Sequence, residues 1–90
     1  MYYVYILACL ESGYSYVGQT DDLVRRFRLH VAGSTKTTRE RLRRPVMVHW
    51  EQFPTRLEAI NRERYFKAGS GHRVKREIIA AGIKLFEKSG

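Results

Sequence analysis

The sequence predicts an α/β domain of the α+β kind, and three features predict it. An aromatic, β-branched hairpin opens the chain, a third strand-like run lies near its middle, and three other segments carry apolar residues at helical spacing. From Tyr2 to Leu10, Tyr3, Tyr5, Leu7 and Cys9 fall on one face of a strand and Val4, Ile6 and Ala8 on the other, so both faces are apolar and the strand is expected to be buried. Glu11, Ser12 and Gly13 supply turn chemistry. Tyr14, Tyr16 and Gly18 then alternate with Ser15, Val17 and Gln19 as the returning arm of the hairpin.

Thr20 offers an N-cap, Asp21 and Asp22 suit the positive end of a helix dipole, and Gly33 offers a stop, which together predict a helix over 21–32. Its apolar stripe is Leu23, Val24, Phe27 and Val31. Ser34 to Arg44 is basic and without period and reads as a loop; Val46 to Phe53 reads as a strand. Thr55 and Glu58 have the spacing of a capping box, so a second helix should start after Pro54 and run to about Ala68, broken by Gly69, Ser70 and Gly71. A third helix is expected over 72–81, with Gly82 as its stop.

Ninety residues suffice for one domain, 1–90, and are too few for two. The formal net charge of +8 points to a polyanionic partner, and nucleic acid is the first candidate. A single Cys9 rules out an internal disulfide, and three histidines without zinc-ligand spacing give no zinc module, so a reducing, cytoplasmic compartment fits best. The apolar opening is far shorter than a membrane span, and no membrane role is expected.

Glu63 is the most informative single residue, because it falls in the arc occupied by Ala59, Ile60 and Phe66. An ionised carboxylate on an inward face needs a cation. The residues leave two candidates open: an ion pair with Lys67 one turn on, or a divalent metal such as Mg²⁺, whose other positions water and phosphate oxygens can fill. Tyr5 and Tyr16 share one face of the hairpin if its loop is the even-numbered 10–13, and Gly18 would leave a side-chain-free spot beside them. Arg26 and His30 lie one turn apart at the rim of the first helix's stripe, placed to converge on a phosphate. Lys36, Arg39, Arg41, Arg43 and Arg44 make the basic loop a candidate for contacts with a nucleic-acid backbone, as is Lys67.

Taken together these residues resemble the GIY-YIG endonuclease superfamily, in particular its small stand-alone members related to the nuclease domain found in an excinuclease. Tyr3-Val4-Tyr5 stands where the GIY triplet would be, Tyr16-Val17-Gly18 matches YIG with one conservative change, and ten residues separate Tyr5 from Tyr16. Arg26, His30 and Glu63 fall where the family's arginine, histidine and metal-binding glutamate are expected; Tyr3 replaces the first glycine. The resemblance implies a central three-stranded antiparallel sheet flanked by helices, with the site on one sheet face. It also implies an endonuclease that hydrolyses phosphodiester bonds, DNA being the expected substrate and DNA repair or recombination the setting. In that scheme Glu63 holds one Mg²⁺ or Mn²⁺, Arg26 neutralises charge on phosphorus, Tyr5 is the general base and Tyr16 assists. Bringing a tyrosine from about pKa 10 to neutrality would take roughly 4 kcal/mol of differential stabilisation, with metal, Arg26 and His30 as sources and activity rising with pH.

Three other classes compete with this expectation. A non-catalytic basic nucleic-acid-binding module would stack bases on Tyr5, Tyr14 and Tyr16. An adaptor would dock a protein on the aromatic hairpin, and a cysteine hydrolase would pair Cys9 with His30, although no orienting carboxylate is evident.

Overall fold

Strand β1 (Tyr2–Cys9) is buried on both faces: Val4, Ile6, Leu7 and Ala8 have no exposed surface, and Tyr5 has 1%. Such a strand must be central, and it is. In a computed structural model describing residues 1–33 and 43–89, β1 pairs antiparallel with β2 (Ser15–Thr20) on one side and with β3 (Pro45–Phe53) on the other. The hairpin turns through residues 10–13, closed by the Cys9 N–H donating to the Tyr14 carbonyl and the Gly13 N–H to the Cys9 carbonyl, both at 2.8 Å. That even-numbered loop puts Tyr5 opposite Gly18 and Leu7 opposite Tyr16.

Among the described residues, three helices cover the sheet. α1 (Leu23–Val31) lies on the Tyr5 face, where Leu23 and Phe27 join Tyr5, Leu7, Cys9 and Met47. α2 (Arg56–Lys67) and α3 (Gly69–Ser89) lie on the Val4 face, where Ala59, Phe66 and Ile79 complete a core with Val4, Ile6, Ala8 and Val17. The expected α+β architecture is therefore present. No helix among the described residues is long and apolar enough to cross a membrane.

Two local expectations need correction, and β3 carries an irregularity that its sequence does not announce. Asp22, not Thr20, caps α1: its carboxylate accepts the Arg25 N–H at 3.0 Å, while the Thr20 hydroxyl accepts the Asp22 N–H at 3.1 Å. Aspartate competes at least as well as threonine for a cap, so the helix starts later than expected. α3 does not stop at Gly82. A Cβ at that position would stand 2.7 Å from Val48 Cβ, so the glycine serves close helix-on-strand packing rather than termination. Finally, a bulge between Ile6 and Leu7 shifts the β3 register, placing Met47 in the α1 layer and Val48 and His49 on the helix-pair side. Strict alternation counted back from Trp50 would have put Met47 and Val48 on the opposite faces.

The capping box at Thr55 forms as expected, with the Glu58 N–H donating to Thr55 Oγ1 at 3.3 Å and Thr55 Oγ1 to Glu58 Oε2 at 3.0 Å.

Candidate active site

Above β2, Gly18 has a specific task. A Cβ there would lie 2.5 Å from Tyr5 Oη, 2.7 Å from Tyr5 Cζ and 2.9 Å from Tyr16 Cε1. The missing side chain lets the Tyr5 ring lie across the neighbouring strand. The space expected to stay open over Gly18 is instead filled by tyrosine, and Gly18 itself is buried, which removes it as a direct nucleic-acid contact.

The Tyr5 hydroxyl is the hub of the site. It stands 3.0 Å from His30 Nε2 and accepts a hydrogen bond from Arg26 Nε at 3.3 Å, both from α1. Tyr16 closes the group, its ring centroid 4.9 Å from His30 and 6.1 Å from Tyr5. Tyr5, Tyr16, Arg26 and His30 are therefore brought together. The convergence differs from expectation, since Arg26 and His30 meet on a tyrosine oxygen. His30 is only 3% exposed, so it reaches a ligand only through its neighbours.

The protonation states follow from this burial. Burial raises the Tyr5 pKa to about 12; the hydrogen bond from Arg26 opposes that rise without cancelling it. Arg26 does not by itself give the expected lowering toward neutrality, because loss of solvent outweighs one guanidinium. His30 moves the other way: burial, then the Arg26 charge, holds it below the usual histidine range of about 6.5. The Tyr5 hydrogen bond raises Arg26, which stays cationic. The neutral Tyr5 phenol accepts from the guanidinium and shares one hydrogen with His30 Nε2, the donor being set by the imidazole tautomer: with the imidazole proton on Nδ1, Tyr5 donates.

Glu63 lies in a different layer. Its helix packs through Ala59 and Phe66 on the Val4 face, and its side chain, 22% exposed, has Lys67 Nζ 3.5 Å from Oε1. Lys67, one turn on, is the cation beside it in this structure. Lys67 in turn neighbours Lys75, whose pKa is lowered by burial and then by Lys67 and Arg76. Gln19, on the strand face that α2 covers, keeps a buried Oε1 with no hydrogen-bond partner among the described residues.

Of the basic loop, Arg43 and Arg44 are exposed, and Arg44 pairs with Glu11 beside the hairpin turn at 3.6 Å. Lys36, Arg39 and Arg41 lie outside the described residues.

Two groups escape the sequence pattern. Trp50 stands directly opposite Tyr5 on β3 and is 52% exposed; only the register reveals that it shares the Tyr5 face. On the other face Glu51 accepts from Arg62 at 2.8 and 3.1 Å and stands 2.7 Å from His49 Nε2. The Arg62 guanidinium also lies 4.4 Å from the centre of the Phe66 ring and 4.6 Å from that of Tyr65, so this network ties β3 to α2. Burial works against the Glu51 charge, but hydrogen bonds from Arg62 and His49 prevail and hold its carboxyl below the usual range.

Fold and site together define a small basic α+β domain whose sheet face carries a tyrosine hydroxyl held between an arginine and a histidine. A family model described as the GIY-YIG catalytic domain matches residues 1–76. Similar proteins include a UPF0213 protein of Limosilactobacillus reuteri (strain DSM 20016), 30% identical over 88 residues covering 96% of this chain and 91% of the relative. A UPF0213 protein of Haloquadratum walsbyi (strain DSM 16790 / HBSQ001) is 45% identical over 86 residues, covering 93% and 92%. One of Listeria monocytogenes serotype 4b (strain F2365) is 40% identical over 67 residues, covering 73% of each. No solved structure matches the chain significantly. The chain belongs to the GIY-YIG family, a family of nucleases that generally depend on a divalent metal.

Proposed function

We propose that this chain, residues 1–90, is a divalent-metal-dependent endonuclease that hydrolyses nucleic-acid phosphodiester bonds, with DNA as substrate and one strand nicked per site. The observation that carries the reading is the Tyr5 hydroxyl held 3.0 Å from a neutral His30 and 3.3 Å from Arg26. A core tyrosine needs one partner for its hydroxyl; here it has a cation on one side and a proton acceptor on the other.

The residues fit the metal the family uses. Among the described residues no three His, Cys, Asp or Glu side chains gather into a metal cage. Glu63 offers one hard carboxylate, which suits Mg²⁺ or Mn²⁺ completed by water and phosphate oxygens and does not suit a metal that wants an all-protein shell. Glu63 would hold the ion, exchanging Lys67 for it, and Lys67 would then be free to meet a phosphate. Because α2 covers the Val4 face, the bound strand must then pass round the β2 edge from Arg26 to Glu63. When bound, such an ion supplies Lewis-acid stabilisation of phosphoryl charge.

Arg26 supplies fixed positive charge beside the scissile phosphate. Removing a preorganised electrostatic donor of this kind costs about 3–4 kcal/mol of transition-state stabilisation. Tyr16 is more exposed than Tyr5 and so is the phenol that meets the attacking water. As the water's oxygen bonds to phosphorus and the bond from phosphorus to the 3′ oxygen breaks, the water's proton passes to Tyr16 Oη, the Tyr16 proton to Tyr5 Oη, and the Tyr5 proton to His30 Nε2, while the departing 3′ oxygen takes a proton from solvent. Each phenol gains one proton and loses one, so neither becomes a phenolate and the high Tyr5 pKa is no obstacle. The negative charge of a bound phosphate offsets Arg26 and makes His30 a better proton acceptor when substrate is present.

The test is nicking of supercoiled plasmid in Mg²⁺, Mn²⁺ or EDTA, with Glu63→Ala and Tyr5→Phe as variants. Nicking should require metal and be lost in both variants, while salt-sensitive binding persists. Metal-independent nicking, or a Glu63→Ala protein as fast as the parent, would refute the assignment.

A further inference from the structure

The face of the sheet that carries Tyr5 also carries an aromatic group that the proton relay does not use. Trp50 pairs directly with Tyr5 across β1 and β3, and side chains of directly opposed residues emerge on the same face with Cβ atoms about 5 Å apart. Tyr3, two residues before Tyr5 and therefore on the same face, meets the indole edge-to-face with ring centroids 6.1 Å apart at 62°. That contact steadies the indole without covering it: Trp50 remains 52% exposed. The other exposed aromatics, Tyr65 and Phe86, belong to the helices on the opposite side, and Tyr65 already has the Arg62 guanidinium over its ring.

A large apolar ring fixed in place and open to solvent on the same sheet face as a cationic centre, with β1 between them, calls for a ligand with both an anionic and a flat aromatic part. Tyr5 cannot serve as that platform, being 1% exposed. We infer that Trp50, steadied by Tyr3, stacks on a nucleobase of the strand whose phosphate sits at Arg26. An end, a flap or a flipped-out nucleotide presents such a face, and stacking of this type tolerates any base because every base has a π-surface. The inference rests on the reading of this face as a nucleic-acid site, and adds the residues that engage a base.

Trp50 is the only tryptophan in the chain, so its fluorescence reports on the platform alone. The protein is titrated, without divalent metal, with a short oligodeoxynucleotide and with an abasic phosphodiester of equal length. The base-bearing strand should quench Trp50 and the abasic strand should not. Trp50→Ala, read by anisotropy of a labelled strand, should weaken base-bearing binding about 5- to 140-fold, the range that ~1–3 kcal/mol of stacking converts to at ~1.4 kcal/mol per tenfold. Its affinity for the abasic strand should stay with the parent's, and Trp50→Phe should recover most of the loss. Circular dichroism of each variant checks that the fold is intact.

Equal quenching by both strands, no quenching, or an alanine variant that binds bases like the parent overturns the platform. A parent dimer in sedimentation that Trp50→Ala dissociates also overturns it and assigns the face to self-association. Plasmid nicking by the parent is read separately. Base-dependent quenching without nicking sinks the nuclease reading alone, and nicking without base-dependent quenching sinks the platform alone.

Discussion

Replacing Gly18 with alanine should damage both the fold and the site. The new Cβ would stand 2.5 Å from Tyr5 Oη, 2.7 Å from Tyr5 Cζ and 2.9 Å from Tyr16 Cε1, whereas carbon contacts are comfortable at about 3.5–4.0 Å. The Tyr5 ring must therefore move by roughly 1 Å. A flexible side chain would yield cheaply, but this ring is rigid, 1% exposed and tied at its end to His30 and Arg26. Overpacking of this kind costs about 1–3 kcal/mol. Stretching the 3.0 and 3.3 Å hydrogen bonds adds about 1–2 kcal/mol more. The sum, about 2–5 kcal/mol, is a large share of the roughly 5–13 kcal/mol expected for a domain of this size. Urea unfolding followed by far-ultraviolet circular dichroism reads the loss. Tyr5→Phe deletes the nearest clashing atom, so alanine at position 18 should cost about 1 kcal/mol less in that background. A Gly18→Ala protein that unfolds within about 0.5 kcal/mol of the parent and still nicks plasmid would show that Tyr5 does not lie over β2.

Other outcomes follow from the same geometry. Gly82→Ala should lose about 1–3 kcal/mol in urea unfolding, because the added Cβ meets Val48 Cβ at 2.7 Å, and Val48→Ala should relieve part of that loss. Arg26→Lys keeps the charge and loses the fork, so plasmid nicking should fall by about 100-fold or more while urea stability changes by less than about 1 kcal/mol. Stability should decline with acid in two stages, followed by unfolding midpoint against pH. His30 has a folded pKa below its unfolded value near 6.5, so the unfolded chain takes up the proton first, and stability drops as pH falls below about 6.5. Glu51 is likewise depressed, and its contribution, complete above its unfolded value near 4.5, is lost as pH falls further. Glu51→Gln should flatten the second stage only.

How far such features can be read in advance depends on whether they are local. The alternation of Tyr3, Tyr5 and Leu7, with a four-residue turn, is enough to place Tyr5 and Tyr16 on one face, because period and loop length alone set a hairpin register. The Thr55–Glu58 cap is equally legible, since both partners lie within one helical turn. Gly82 misleads because a glycine's helix-stopping tendency is a local signal, and here Val48, distant in sequence, decides its use. The proton on Tyr5 is invisible for a related reason. Charge neighbours on α1 can be inferred from spacing, but the desolvation that outweighs them comes from the assembled layers. The β3 bulge hides Trp50 in the same way, because which face each residue of 46–53 takes depends on a register shift that no alternation pattern announces. Glu63 is legible as an inward carboxylate with a cation beside it, and Lys67 stands in that place.

The most direct measurement is the dependence of plasmid nicking rate on pH in saturating Mg²⁺, repeated in Mn²⁺, for the parent and for His30→Asn. With His30 as the terminal proton acceptor and Tyr5 neutral throughout, the parent's rate should run level from about pH 7 to 9 in both metals and fall only in acid, below the ordinary histidine range, because burial holds the His30 pKa down. The asparagine variant should be slow and lack the acid limb. A parent rate that climbs about tenfold per pH unit from neutrality to about pH 10 would mean that a phenolate does the work, and the relay through His30 would be wrong.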